Sequence, residues 1–235
     1  MLRKIAIIAA MEREVGPLVR GWKVREIEQG GRRYRWFENG DTVVICGGIG
    51  AEAARRATEA VIVAARPKRV VSVGFAGALD STLKIADVFE PRVVVNAADG
   101  ARADTGSGQG TLVSFGTVAD RDQKRRLAKA YGAVAVDMEA AAVAQGAQSR
   151  GVEFAALKAI SDAADFGMPP TERFVAADGQ FRSAAFAAHV AVRPWLWART
   201  IVLARNSARA SRALCGAIAE YVGRETFAVE PAEKR

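Results

Sequence analysis

The chain reads as a single α/β unit, and three observations predict this. Short apolar runs rich in β-branched residues recur along the 235 residues, glycine-containing turns end several of them, and stretches of strong helix formers follow. Half of the residues are hydrophobic, enough to bury one large core, and no linker divides the chain, so one domain over residues 1–235 is expected.

Ile5–Ala9 is a continuous apolar run, as expected of a strand covered on both faces, and it runs into Met11-Glu12-Arg13-Glu14. Thr42–Cys46 is a second such run; it meets Gly47-Gly48-Ile49-Gly50, and residues 51–65 follow as a helix of good helix formers. Residues 69–73 repeat the pattern and lead into an expected turn at Gly74-Phe75-Ala76-Gly77, and a further strand is expected over 88–96, around Pro91. Residues 99–110 are polar and glycine-rich and predict a mobile loop. A strand over 112–118, a charged helix over 122–131, a brief strand over 133–136 and an Ala-rich helix over 139–149 come next. The last clear strand, 154–160, ends in Ser161-Asp162-Ala163-Ala164-Asp165; the remainder is expected to be mostly helical, interrupted at Pro169-Pro170 and Pro194.

Lys and Arg exceed Asp and Glu by 34 to 26, a net charge of +8. Such a surplus attracts nucleic acid, anionic lipid and phosphorylated ligands alike. No Lys/Arg block with interleaved aromatic residues occurs, and the basic residues of 121–129 read as a solvated helix face, so no nucleic-acid partner is expected. Cys46 and Cys215 lie far apart and His189 is the single histidine, so zinc ligation or Ser-His or Cys-His catalysis would rest on one imidazole; no metal or organic cofactor is expected. The N-terminus passes from two basic residues directly into a strand, without the apolar region and cleavage site of a signal peptide, which predicts a cytoplasmic protein.

Gly48-Ile49-Gly50, between a strand and a helix, can aim backbone N–H groups at an anion. It is not a dinucleotide fingerprint, because Ala53 stands where a third glycine is required and no acidic residue ends the strand over 69–73. The carboxylates are more informative. Glu14, Glu139 and Asp162 each follow a strand-like run, and in an open α/β sheet those C-terminal strand ends gather at the ligand crevice. Each also has a purely structural reading: Glu14 and Glu139 as first-turn helix acids, Asp162 as an N-cap beside Ser161.

Four segments then carry a resemblance. They are Ile5-Ala-Ile-Ile-Ala-Ala-Met-Glu-Arg-Glu-Val15, Gly48-Ile-Gly50 with its helix, Val73-Gly-Phe-Ala-Gly-Ala-Leu79 running on to Thr82-Leu-Lys-Ile-Ala-Asp87, and Val136-Asp-Met-Glu-Ala140 with Ala159-Ile-Ser-Asp162. In this order they resemble the nucleoside phosphorylase and nucleosidase superfamily, especially the methylthioadenosine/S-adenosylhomocysteine nucleosidases. The resemblance implies a three-layer α/β/α sandwich around a mixed, partly barrel-like central sheet, cleavage of the N-glycosidic bond of an adenine-type purine nucleoside, and a homodimer or larger oligomer. It implies that Glu14 activates a water for attack at the anomeric carbon, that Glu139 holds the ribose 2′-hydroxyl with Met138 beside the sugar, and that Asp162, oriented by Ser161, assists departure of the base at purine N7. Phe75, Ala76 and Gly77 are carried over as substrate contacts and Val118 as a neighbour of the base. The chemistry is coherent on its own terms: a carboxylate stabilises oxocarbenium character, and a purine leaves better once protonated. Asp162 is expected to have its pKa raised by partial burial.

The sequence also departs from the family pattern. Phe75 stands where a small polar residue is usual, residues 99–110 are shorter than the corresponding region, and Lys158 replaces an arginine, keeping the charge but losing a bidentate fork. An apolar helical insertion at about 182–204 resembles the hopanoid-associated phosphorylase branch, whose substrate carries a large hydrophobic group on the ribose 5′ carbon. Phe186, Trp195 and Trp197 would then wall a 5′ channel; ordinary core packing of a terminal helix pair, or an amphipathic element contacting a membrane surface, are the other readings. Glu14 favours water over phosphate as co-substrate, since a phosphate would need compensating contacts from Gly48, Gly50, Arg13, Arg55, Arg56 or Lys158. A phosphate-dependent phosphorylase and a non-catalytic nucleotide- or lipid-binding module remain the alternatives.

Overall fold

A computed structural model describes residues 5–227. Eleven strands form one mixed sheet: β1 Ile5–Ala9, β2 Lys23–Gln29, β3 Arg32–Asn39, β4 Thr42–Cys46, β5 Arg69–Ala78, β6 Val88–Phe89, β7 Val93–Asn96, β8 Arg102–Asp104, β9 Thr111–Ser114, β10 Ala135–Asp137 and β11 Glu153–Asp162. Six α-helices flank it: α1 Glu12–Val19, α2 Ala51–Ala65, α3 Arg121–Tyr131, α4 Ala140–Gln148, α5 Ser183–Ala191 and α6 Pro194–Phe227.

The central strands β1, β4, β5 and β11 are buried on both faces, which explains their continuous apolar runs. Ala6 and Ile8 of β1 face a core shared with Ala57 and Val61 of α2 and Val143 and Ala144 of α4. Ile5 and Ile7 point the other way, toward Val15 and Val19 of α1 and Leu214, Ile218 and Tyr221 of α6. The result is the expected three layers, α2 and α4 on one face and α1 and α6 on the other. A third cluster, including Leu127 of α3 with Val95, Val113 and Val136, closes the far end of the sheet.

Strand β5 organises the topology. It runs parallel to β1 over Arg69–Ser72 and parallel to β11 along most of its length, then meets β10 antiparallel at Gly77 and Ala78. Between Ser72 and Gly77 one edge of β5 has therefore left β1 and not yet met β10. The sheet is open there, and the candidate site lies at this opening.

Several expectations are corrected. Gly74-Phe75-Ala76-Gly77 is not a turn but the continuation of β5, and Ser161 and Asp162 belong to β11. The single strand expected over 88–96 is divided into β6 and β7, and the strand expected over 112–118 stops at Ser114. Residues 99–110 are not wholly a loop, since β8 pairs antiparallel with β7. The β2–β3 hairpin was not anticipated at all; Gln29 pairs with Arg32 across Gly30-Gly31, whose positive φ angles of 57° and 72° suit a two-residue hairpin turn.

Two substitutions on α6 test the layer assignment. Leu214 is fully buried, so Leu214→Ala should cost about 2–5 kcal/mol in urea denaturation. Trp195, 72 % exposed, should tolerate Ala within about 0.5 kcal/mol in the same assay; a comparable loss at both would place α6 wrongly.

Candidate active site

Glu14 fills the opening in the sheet. It is the third residue of α1, and its Oε2 accepts a hydrogen bond from the Met11 amide at the helix start at 2.8 Å, while its Oε1 accepts from the Phe75 amide of β5 at 3.2 Å. The Phe75 N–H lies where β5 lacks a neighbouring strand, so the carboxylate supplies the acceptor that a strand would have given. The structural reading of Glu14 as a first-turn acid and its placement at the crevice are thus both realised. Burial pushes its pKa above the ordinary carboxylate value, against the two amides and the charges of Lys158 and Arg13. From α6, Ser211 Oγ donates to the Glu14 carbonyl at 3.1 Å and Cys215 Sγ approaches it at 3.5 Å, fixing this turn of α1 from outside.

Glu139 stands between β10 and α4. Its Oε1 accepts from the Gly50 amide at 2.8 Å and its Oε2 from the Met138 amide at 3.2 Å. The glycine turn therefore does aim an N–H at an anion, but the anion is a side chain of the protein. Beneath it lies a sealed network. Lys158 Nζ bonds Asp137 Oδ2 at 2.9 Å and Ser72 Oγ at 3.1 Å; Asp137 also accepts from Ser114 Oγ at 2.5 Å and from the Ala140 amide at 2.9 Å. Burial, with the adjacent Asp137 charge, pushes the Glu139 carboxyl up to about 7. Lys158 stays on the charged side of its usual range, because the Asp137 and Glu139 carboxylates outweigh its desolvation.

Asp162 ends β11 at a bulge, where the register with β5 shifts between Ile160 and Asp162. The shift breaks the strict alternation of side chains, so Ser161 and Asp162 both line the cavity, with Ser161 Oγ donating to Asp162 Oδ1 at 2.8 Å. Its Oδ2 receives the ammonium of Lys124, which also donates to the Ala163 carbonyl at 2.7 Å. Partial burial was expected around Asp162; the structure adds a buried cation in direct contact with it. Gly77 is required below this pair: a Cβ there would stand 2.9 Å from Asp162 Oδ2 and 3.2 Å from Lys124 Cε.

Glu14, Glu139 and Asp162 all line one cavity of about 330 Å³, together with Met138, Ser161, Phe75, Ala76, Gly77, Val118 and Arg13. Four other expected contacts are not there. Arg55 lies on the exposed side of α2 in an ion pair with Glu52, and Lys158 is sealed beneath the cavity floor by Asp137. Gly48 and Gly50 do not line the cavity, although their neighbour Ile49 does. Phe186 is a wall residue, with Phe181, Val175 and Leu203, whereas Trp195 and Trp197 face outward at 72 % and 49 % exposure and neither wall the cavity nor pack in the core. Sequence reasoning missed Lys124, which was assigned to a solvated helix face, and the Asp137–Lys158–Ser114 network. A helical-wheel reading of α3 offers the one signal for Lys124, since it shares a face with the buried Leu127 three residues on.

The phosphorylase superfamily model matches residues 4–120 and 109–192. The chain belongs to the phosphorylase superfamily. It is an enzyme of that superfamily, with its eleven-stranded α/β fold. Among curated relatives of this superfamily member, the aminodeoxyfutalosine nucleosidase of Helicobacter pylori is 27 % identical over 202 residues, covering 70 % of this chain and 87 % of that protein. Two solved structures show the same fold. The methylthioadenosine/S-adenosylhomocysteine nucleosidase of Neisseria meningitidis in complex with methylthio-immucillin-A has a TM-score of 0.70 at 22 % identity, covering 94 % of this chain and 99 % of its own. The futalosine hydrolase of Helicobacter pylori has a TM-score of 0.66 at 23 % identity, with the same coverage of 94 % and 99 %.

The raised Glu139 pKa makes a stability prediction for this superfamily member. The folded value, about 7, exceeds the ordinary 4.5, so the associated stability is complete below 4.5 and is lost as pH rises through about 7. Glu139→Gln, which cannot ionise, should therefore raise the melting temperature at about pH 8 and give no gain at about pH 4. A gain independent of pH would rule out charge burial as its cause.

Proposed function

We propose that this chain hydrolyses the N-glycosidic bond of a purine nucleoside of the adenine type, with Glu14 and Asp162 as its catalytic residues. One observation carries the reading: three carboxylates from α1, the β10–α4 junction and the end of β11 line a single cavity. A buried Glu14 with a raised pKa is suited to take a proton from water as the oxygen attacks the anomeric carbon. Glu139 is placed to accept from a ribose hydroxyl, holding the sugar against Met138. As the C–N bond breaks, the electron pair moves onto the purine, and a proton passing from the Lys124–Asp162 pair to N7 yields the neutral base. Lys124 and Ser161 each hold one oxygen of Asp162, which makes Ser161 a positioning residue. The hydroxide of water ends on the sugar and its proton on Glu14; return of that proton through solvent to the Lys124–Asp162 pair restores the enzyme.

Water is favoured over phosphate by the state of the cations. A phosphate dianion needs several free donors at one point. Arg55 is paired with Glu52, Lys158 with Asp137, and the Gly50 amide with Glu139, so that of the expected anion contacts Arg13 is the one that lines the cavity, a single cation where several donors are needed. The relatives from Helicobacter pylori, a nucleosidase and a futalosine hydrolase by name, agree with hydrolysis. The cavity further extends to Val175, Phe181, Phe186, Leu203 and Ala204, which favours a substrate whose ribose 5′ carbon bears an apolar group.

The test is purine release from adenosine, inosine and methylthioadenosine, measured with and without phosphate. Release without phosphate is expected; strict phosphate dependence would replace hydrolysis by phosphorolysis. Glu14→Gln and Asp162→Asn should each lower kcat by at least about a hundredfold, the usual scale for a positioned acid or base. Full activity in either variant would remove that residue from the chemistry. Gly77→Ala, which displaces the Asp162–Lys124 pair without touching Glu14, should lower kcat more than it raises KM.

A further inference from the structure

From the outer surface of α5 and the first half of α6, we propose that this enzyme docks on an anionic phospholipid bilayer, with Trp195 and Trp197 entering the headgroup region. Among the described residues, seven large apolar side chains are exposed, and five of them, Val192, Trp195, Trp197, Ile201 and Val202, fall within this one stretch. Helix α5 is built largely of Ala, with Phe186 and Val190, yet it contains no buried residue. An apolar helix on the outside of a folded chain marks a contact surface, not a core element. Helix α6 is two-sided here: Thr200, Leu203 and Ser207 line the cavity, while Trp195, Trp197, Ile201 and Val202 face away. No described helix is long and apolar enough to cross a membrane, so this element lies on the bilayer surface.

Charge selects the occupant. Between Asp178 and Glu220 the chain carries six arginines, Arg182, Arg193, Arg199, Arg205, Arg209 and Arg212, and not one Asp, Glu or Lys. A two-fold contact between copies of the chain would set this arginine-rich face against itself, with acidic neighbours, Asp120, Asp122 and Glu172, only beside Arg199, and like charges facing each other oppose association. Anionic headgroups neutralise it instead, and Arg with Trp is the pairing suited to that depth, the guanidinium reaching the phosphates while the indole sits at the apolar boundary. Docking in this orientation brings the α5–α6 wall of the cavity against the membrane. The inference does not depend on the proposed reaction.

Flotation of the full chain with vesicles tests it without any turnover. Binding is expected to phosphatidylcholine vesicles containing about one third phosphatidylglycerol, and to weaken sharply on pure phosphatidylcholine or in about 0.5 M salt. The double substitution Trp195→Glu and Trp197→Glu should lower the bound fraction on the order of tenfold, leaving solution mass and circular dichroism unchanged. Arg205→Glu with Arg209→Glu, at exposed positions, should abolish the salt-sensitive part and serves as the second variant. Absence of flotation with anionic vesicles, or binding indifferent to both variants, would overturn the proposal. So would a fall in solution mass on Trp substitution with vesicle binding intact, which would make this surface a contact between copies of the chain.

Discussion

The buried pair of Lys158 and Asp137 is the interaction on which the rest of the site depends. Both side chains are almost wholly removed from water, so neither can lose its partner without leaving an uncompensated charge, a change that typically costs about 3–5 kcal/mol. The pair ties β11 to β10. Through the Ala140 amide Asp137 also fixes the start of α4, and so the position of Glu139; through Ser114 it reaches β9. The one ammonium faces Asp137, Glu139 and Glu14 together, which lets the fold hold several acids close to each other.

The same polar groups serve the fold and the proposed chemistry. Glu14 completes the hydrogen bonding of a sheet edge and a helix start, and Glu139 occupies the N-terminus of α2. Each is nevertheless raised in pKa by burial, so the protein carries destabilised carboxylates at a place where backbone amides keep them in position. Such a site is rigid without being at its stability optimum, the usual compromise of a preorganised active site. Asp162 follows a different plan, with its two oxygens held by a hydroxyl and an ammonium.

The molecule also separates two kinds of apolar surface. Leu214, Ile218 and Tyr221 bury the second half of α6 against the sheet, while the first half puts small and polar residues toward the cavity and indoles toward the outside. Composition alone does not say which face each half presents, because both halves mix Ala and larger apolar residues with arginine. What separates them is where the sheet ends beneath the helix.

The local pattern of the chain determined much by itself. Continuous apolar runs announced the buried strands β1, β4 and β11, because a strand covered on both faces needs no polar alternation. Ile-Ser-Asp162 and Asp-Met-Glu139 marked two corners of the cavity, since acids at strand ends gather at the sheet's C-terminal edge. The hairpin at Gly30-Gly31 was equally legible from its two-residue turn but was not read. Tertiary structure alone decided the rest. Lys124 meets Asp162 across 38 residues and Lys158 is matched to Asp137, contacts that no local spacing encodes. Whether an arginine, a lysine or a tryptophan faces the cavity, the core or the outside depends on which neighbours cover its side of the helix or strand. That is a property of the packed sheet and not of any segment of sequence.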